Sequence, residues 1–227
     1  MPTTHIISLG GSLVVPDQID ESYLKAFIQL IKLKVKRRHK FVLIVGGGKT
    51  CRKYQEALKK VVPAPAVDLD WLGIQATWLN AKLVQLMFGK LSHPSIISDP
   101  NKKVAFKEKV LVAGGWKPGR STDDDAVRLA HQYRANQIIN LSNIDAVYSE
   151  DPRKNPNATK IEQISWKGFR SMFSKNWNPG ANVPFDPTAA ALAEKLKLKV
   201  IIANGKNLKN LDNILSGKSY EGTTITN

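Results

Sequence analysis

Cysteine is almost absent. Cys51 is the only one in 227 residues, which excludes an internal disulfide framework and fits a reducing compartment. Long apolar runs are missing as well: none approaches the ~20 residues a membrane-crossing helix requires. The opening MPTTHIISL has neither a basic leader nor an extended apolar segment, so no signal peptide is expected and the location reads as cytoplasmic. Acids are scarce against bases, 19 Asp and Glu to 34 Lys and Arg, for a formal charge of +15. Such a surplus suits an anionic ligand, a nucleic acid or a surface tuned for solubility. No nucleic-acid-reading motif accompanies it, so a nucleic-acid partner is not expected. Much of the charge sits in Lys32, Lys34, Lys36, Arg37, Arg38 and Lys40, at the end of a predicted helix. That cluster reads as a solvated helix end complementing the helix dipole. The four histidines (His5, His39, His93, His131) show no site-like grouping.

What is present is alternation. Apolar runs at 5–9, 41–45, 94–98, 109–113, 137–142 and 199–203 read as strands. Helical periodicity falls between them, as in Ile19, Leu24, Phe27, Ile28, Ile31 and Val35. A long helix is predicted over 68–89 with Leu72, Ala76, Leu79, Leu83 and Leu86 on one side. Further helices are expected over 50–61, from Asp124 to Tyr133, near 166–173 and from Asp186, with a short one after the last strand. Residues 145–165 read mostly as loop, and a Gly-Thr-Thr-Ile tail closes the chain. The βαβα order predicts an α/β fold, a three-layer αβα sandwich with a mostly parallel central sheet. The loop at 145–165 and the Asn/Gly/Pro-rich 176–187 suggest that the chain from about 140 onward forms a distinct lobe of one domain over 1–227.

Three glycine-rich loops each follow a strand: SLGGS (8–12), VGGGK (45–49) and VAGGWKPG (112–119). Ligands of open α/β sheets bind at the carboxyl ends of strands. Glycine lets backbone N–H groups approach phosphate oxygens. One such loop is explained by turn geometry alone; three on one edge, two with adjacent lysines, point to a phosphate cradle. It is neither a Walker A loop nor a GxGxxG dinucleotide turn.

The order and spacing of SLGGS, VGGGKTCRKY, DWLGIQATWLNAKL, GGWKPGRSTDDDA and NLSNIDAVYSEDPRKNP resemble the amino acid kinase superfamily, and within it the archaeal-type uridylate (UMP) kinases. The likeness runs from about residue 5 to the GTTI tail. It implies the amino acid kinase-like fold, an acceptor lobe over 1–139 and an ATP lobe over 140–227. It also implies transfer of the γ-phosphoryl group of ATP to UMP, with Mg²⁺ held through the ATP phosphates and no metal ligands of the protein's own. By resemblance, ATP falls to Ser8, Leu9, Gly10, Gly11, Ser12, Gly48, Arg52, Ser142, Asn143, Tyr148 and Asp151. UMP falls to Gly47, Asp70, Trp116, Lys117, Pro118, Gly119, Arg120, Ser121 and Thr122. Lys49, Gly11 and Ser12 are expected at the transferred group, with Lys49 as the main cation.

Lys117 and Arg120 would oppose phosphate charge. Asp70 reads equally as a ribose ligand or a helix N-cap. Asp123 matches a family aspartate, Asp124 and Asp125 read as structural, and Asp186 reads first as a cap and second as a group orienting the lysine or Mg²⁺. The likeness further implies a homo-oligomer, a hexamer built from dimers. Departures are Ser8 where many members carry lysine, Ala146 for a glycine, and Trp116 for a smaller residue. Isopentenyl phosphate kinase, whose histidine after the second loop is missing here, is one alternative. A non-catalytic nucleotide-binding regulator on the same scaffold is another.

Overall fold

The computed structural model describes residues 4–152, 154–173 and 183–227. In chain order the elements are β1 (Thr4–Leu9), α1 (Gly11–Val14), α2 (Glu21–Lys36), β2 (Lys40–Val45), α3 (Gly48–Val61) and α4 (Ala66–Phe88). There follow β3 (Val110–Ala113), α5 (Thr122–Gln132), β4 (Gln137–Ser142), β5 (Val147–Tyr148), β6 (Lys160–Ile161) and β7 (Gln163–Ser165). The chain ends with α6 (Trp166–Met172), α7 (Pro187–Lys195), β8 (Lys199–Asn204), α8 (Leu208–Leu215) and β9 (Thr223–Thr226).

Seven strands form one sheet in the order β3-β2-β1-β4-β8-β9-β7. β3, β2, β1, β4 and β8 run parallel, and β9 lies antiparallel to β8. Each central strand is apolar on both faces, as a doubly covered strand must be. Phe41, Leu43 and Val45 of β2 enter one core with Leu24, Phe27 and Ile31 of α2, Val84 and Phe88 of α4, and Leu211 of α8. Val42 and Ile44 of the same strand enter the other core, with Val127 of α5, Trp166 and Phe169 of α6, and Ala189 and Ala193 of α7. The period of two along one strand thus builds both helical layers. The expected three-layer αβα sandwich is what the chain forms.

Several expectations need correction. Residues 94–98 form no strand: only Ile97 makes an isolated bridge, to Ala113, because Pro94 and the turn beside it leave too short a run to pair. The supposed loop over 145–165 contains β5, β6 and β7, and the tail is strand β9. Ile19 lies outside α2, whose N-cap is Asp20, accepting from the Tyr23 amide at 2.9 Å. On α4, Leu79 and Leu86 face outward while Thr77, Asn80 and Gln85 are buried. Lys34 is no solvated helix-end charge. It is buried, with Nζ on Asp212 Oδ1 at 2.5 Å and Ser216 Oγ at 2.7 Å, tying α2 to α8. Residues 176–182 of the Asn/Gly/Pro-rich stretch lie outside the described residues.

Candidate functional site

The first two glycine loops are built against each other. The Gly46 amide donates to the Leu9 carbonyl (3.0 Å) and the Gly10 amide to Leu141 (2.9 Å), so three adjacent strand ends are laced together. A β-carbon on Gly11 would stand 2.0 Å from the Gly48 nitrogen, and one on Gly46 2.5 Å from the Gly11 nitrogen. Gly48 has φ +60°, a left-handed conformation open to glycine at little cost. Polar side chains of α4 explain its inverted face. Asn80 Nδ2 donates to the Gly46 and Gly47 carbonyls at 2.9 and 3.0 Å. Thr77 Oγ1 accepts from the Gly115 amide at 2.7 Å, and Trp78 Nε1 donates to the Gly115 carbonyl at 2.7 Å. Helix α4 therefore holds the second and third loops at once.

Above these loops, at the carboxyl ends of the parallel strands, opens a cleft of about 730 Å³. Its floor is Gly11, Ser12 and Gly46 to Gly48; α3 supplies Cys51, Arg52, Gln55 and Lys59. Asp70, Gly73 and Thr77 of α4 form another wall, Arg120, Ser121 and Thr122 the next, and Asn143 faces them from the end of β4. Ten residues singled out in the sequence meet here: Gly11, Ser12, Gly47, Gly48, Arg52, Asp70, Arg120, Ser121, Thr122 and Asn143. Gln55 and Lys59 escaped notice, although they follow Arg52 at helical spacing (i, i+3, i+7) on one face of α3.

Other expected residues stand elsewhere. Lys49 lies outside the cleft lining; its amide donates to the Val15 carbonyl at 2.9 Å. Leu9 is wholly buried in the core, leaving only its backbone, and Gly10 is committed to Leu141. Ser8 is buried beneath the loop, its hydroxyl 3.5 Å from Asp123 Oδ1. Ser142 sits at the strand end, its hydroxyl accepting from the Ile144 amide at 3.3 Å. Tyr148 is in the β5–β6 ribbon, and the Asp151 carbonyl accepts from the Lys154 and Asn155 amides.

Trp116, Lys117, Pro118 and Gly119 form the outer turn of the third loop rather than the cleft wall. Lys117 Nζ rests 4.1 Å from the centroid of the Trp116 ring instead of facing the cleft. Asp70 is inside α4, so it is not a cap; its Oδ2 accepts from the Gly119 amide at 2.8 Å. Ala146 has no left-handed φ, so the side chain costs nothing there.

The acidic run divides by partner. The actual N-cap of α5 is Ser121, which accepts from the Asp124 amide at 3.2 Å. The Ser121 hydroxyl in turn donates to Asp186 Oδ2. Asp186 Oδ1 caps α7 through the Thr188 amide at 2.6 Å, and its own amide donates to Asp123 Oδ2 at 3.1 Å. Burial pushes the Asp123 carboxyl up to about 7, with the Asp186 charge adding to the shift while the Asp186 amide and the Ser8 hydroxyl oppose it. Asp125 is held well above the usual carboxylate range, first by burial and then by Asp124, with the Trp116 amide and the Arg128 charge opposing. Burial also raises the Cys51 thiol, which makes it a packing residue rather than an activated one.

Residues 3–204 match the amino acid kinase family model. The chain is 35% identical over 224 residues to a uridylate kinase of Pyrococcus abyssi, covering 97% of this chain and 98% of that one. It is 34% identical over 229 residues to a uridylate kinase of Thermoplasma volcanium, covering 99% and 98%. The crystal structure of a uridylate kinase from Archaeoglobus fulgidus superimposes with a TM-score of 0.82 at 30% identity, over 99% of this chain and 100% of that one. A UMP kinase structure from Bacillus anthracis, at 19% identity and TM-score 0.79, shares the fold.

Proposed function

Because the chain belongs to the amino acid kinase family, we propose that it is a uridylate kinase, transferring the γ-phosphoryl group of ATP to UMP to give UDP and ADP. The observation that carries this reading is the convergence of all three glycine loops, Arg52, Asp70 and Arg120 on one cleft. The relatives of matching length are named for the same activity. The acceptor phosphate is already largely dianionic near neutrality, so no general base is required. The work is to bring two repelling phosphates into line and to neutralise charge as it shifts. Backbone N–H groups of Gly11, Ser12 and Gly48 suit the transferred group, with Arg52 and Arg120 as the cations lining the space. Lys49, at the start of α3 beside the Val15 turn, is kept as a proposed further cation for the transferred group.

The acceptor occupies the side formed by residues 1–139, and ATP the side from 140 onward, where Asn143 reaches the cleft. Among the described residues no group of three or more His, Cys, Asp or Glu is arranged to hold a metal. Asp123 and Asp186 are engaged with hydroxyl and amide donors. Mg²⁺ carried by the nucleotide would withdraw charge from the phosphates. Among the same residues no helix is long and apolar enough to cross a membrane. We place the enzyme in the cytoplasm and as a homo-oligomer.

ADP release from Mg-ATP, measured across UMP, CMP, dUMP, AMP, GMP and isopentenyl phosphate, tests the reading. Turnover is expected with UMP and a loss of at least about 100-fold in Arg52→Ala, by the scale of one lost charge-stabilising contact. A smaller loss in Lys49→Ala is expected if Arg52 and the loop amides carry most of the charge. ATP binding without turnover on any acceptor would overturn the assignment.

A further inference from the structure

The third glycine loop returns to the cleft through a side-chain circuit that its own sequence does not announce. Asp124, with 1% of its side chain exposed, faces two arginines. Arg128, one turn on, takes the close geometry: Nε to Oδ2 at 2.7 Å and a second nitrogen to Oδ1 at 3.4 Å. Arg120 is left with a single 3.6 Å approach to Oδ1, too long for a hydrogen bond. Arg128 is itself fixed from two further sides. Its Nη1 donates to Asn101 Oδ1 at 3.3 Å, and its guanidinium lies 5.2 Å from the centroid of the Trp116 ring. The bulky Trp116 is thus explained without any place in the cleft: it is a platform that holds Arg128 against Asp124.

We infer that Arg128 is a positioning residue of the acceptor site, saturating the buried Asp124 carboxylate so that the Arg120 guanidinium stays turned to the cleft. A buried carboxylate needs a cation and takes the nearest one available. With Arg128 present the bidentate pair satisfies it. Without Arg128 the arginine among the described residues that already approaches Asp124 is Arg120, and capturing it withdraws one of the two arginines that line the cleft. Trp116 and Asn101 bias this choice before any ligand arrives. The inference rests on the uridylate kinase reading for its kinetic readout, but not for its structural one.

The test pairs Arg128→Met with the double variant Arg128→Met/Asp124→Asn, which removes both the competitor and the carboxylate. In Arg128→Met the KM for UMP rises about tenfold, the scale of one charge-assisted hydrogen bond, with kcat within about twofold. The double variant brings KM back toward wild type, which a role in stability alone does not predict. Phenylglyoxal labelling of Arg120, read by mass spectrometry without nucleotide, is expected to slow in Arg128→Met and to recover in the double variant. Should Arg128→Met fail to fold, Arg128→Lys provides the same comparison. Lysine keeps the charge but loses the fork and the stacking, so intermediate values are expected. Equal Arg120 labelling in all forms overturns the inference and leaves the kinase reading intact. The predicted labelling pattern with no UMP turnover in the wild type overturns the kinase reading alone.

Discussion

Asp123 and His5 show how single desolvated groups impose opposite pH dependence on one fold. The Asp123 carboxyl titrates near 3.8 when unfolded and at about 7 in the fold, mainly through burial. Its protonated form therefore suits the native state: that stability is fully present below about 3.8 and lost as pH rises through 7. His5, half-buried and stacked on His39, is depressed from 6.5 to about 4 by desolvation, with His39 and Lys34 adding to the shift. Its contribution is present above 6.5 and is lost as pH falls toward 4. The two slopes partly cancel in a simple melting profile, so variants are needed to separate them. Asp123→Asn is expected to be increasingly stable relative to wild type as pH rises from 4 to 8, and His5→Gln as pH falls from 7 to 4. Thermal midpoints across that range check both. A parallel profile for Asp123→Asn and wild type would mean that the Asp123 carboxyl is not perturbed.

Helix ends carry a second regularity. Among the described residues the non-glycine residues with positive φ are Arg38, Arg134 and Lys197, at 67°, 53° and 54°. Each follows a helix and precedes a parallel strand: α2 to β2, α5 to β4, and α7 to β8. In each, the next amide closes the turn onto the helix, His39 to the Lys34 carbonyl, Ala135 to Ala130 and Leu198 to Ala193. Glycine is the usual residue at such a position; these cations instead complement the helix dipole. Replacing Arg134 by glycine relieves the left-handed strain and forfeits some dipole energy and unfolded-state rigidity. The net expectation is a gain of about 0.5–1 kcal/mol, measured by urea unfolding.

The same scale shows what was legible. The α2 stripe and the apolar run of β2 are read directly, because the helix faces one core and the strand is covered on both faces. Helix α4 misleads, because its inner face answers a glycine-loop carbonyl with Asn80 and a glycine-loop amide with Thr77, and hydropathy cannot register that demand. The glycine loops announce the cleft by position. Gln55 and Lys59 belong to it only because α3 packs along α4, a tertiary fact. Likewise Lys117 reads as a cleft cation until its ammonium is found on Trp116.

At the scale of the whole molecule, the outward residues of α4 pose the remaining question. Val67, Trp71, Leu79 and Leu86 recur at helical spacing, and Leu79 and Leu86 stand 63% and 62% exposed. Tyr54 and Val61 of the neighbouring α3 are exposed as well. Scattered apolar residues are ordinary on a monomer, but an aligned set along a 23-residue helix is the pattern of a covered face. A second copy meeting the same stripe antiparallel across a two-fold axis satisfies the self-complementarity of such a contact, since the same patch is used on both subunits. That is the simplest element from which the proposed homo-oligomer is assembled. The double substitution Leu79→Glu/Leu86→Glu is expected to split the assembly, giving a smaller mass by light scattering. In an isolated chain both side chains already face water, so the fold itself is expected to change by no more than about 0.5 kcal/mol. A monomeric wild type, or a double variant of unchanged mass, would remove α4 as the contact. Loss of mass with an unaltered circular dichroism spectrum would establish that α4 holds two loops of the cleft on one face and a second subunit on the other. Substitutions on its outer face then become a direct way to ask whether assembly alters the affinity of the cleft for UMP.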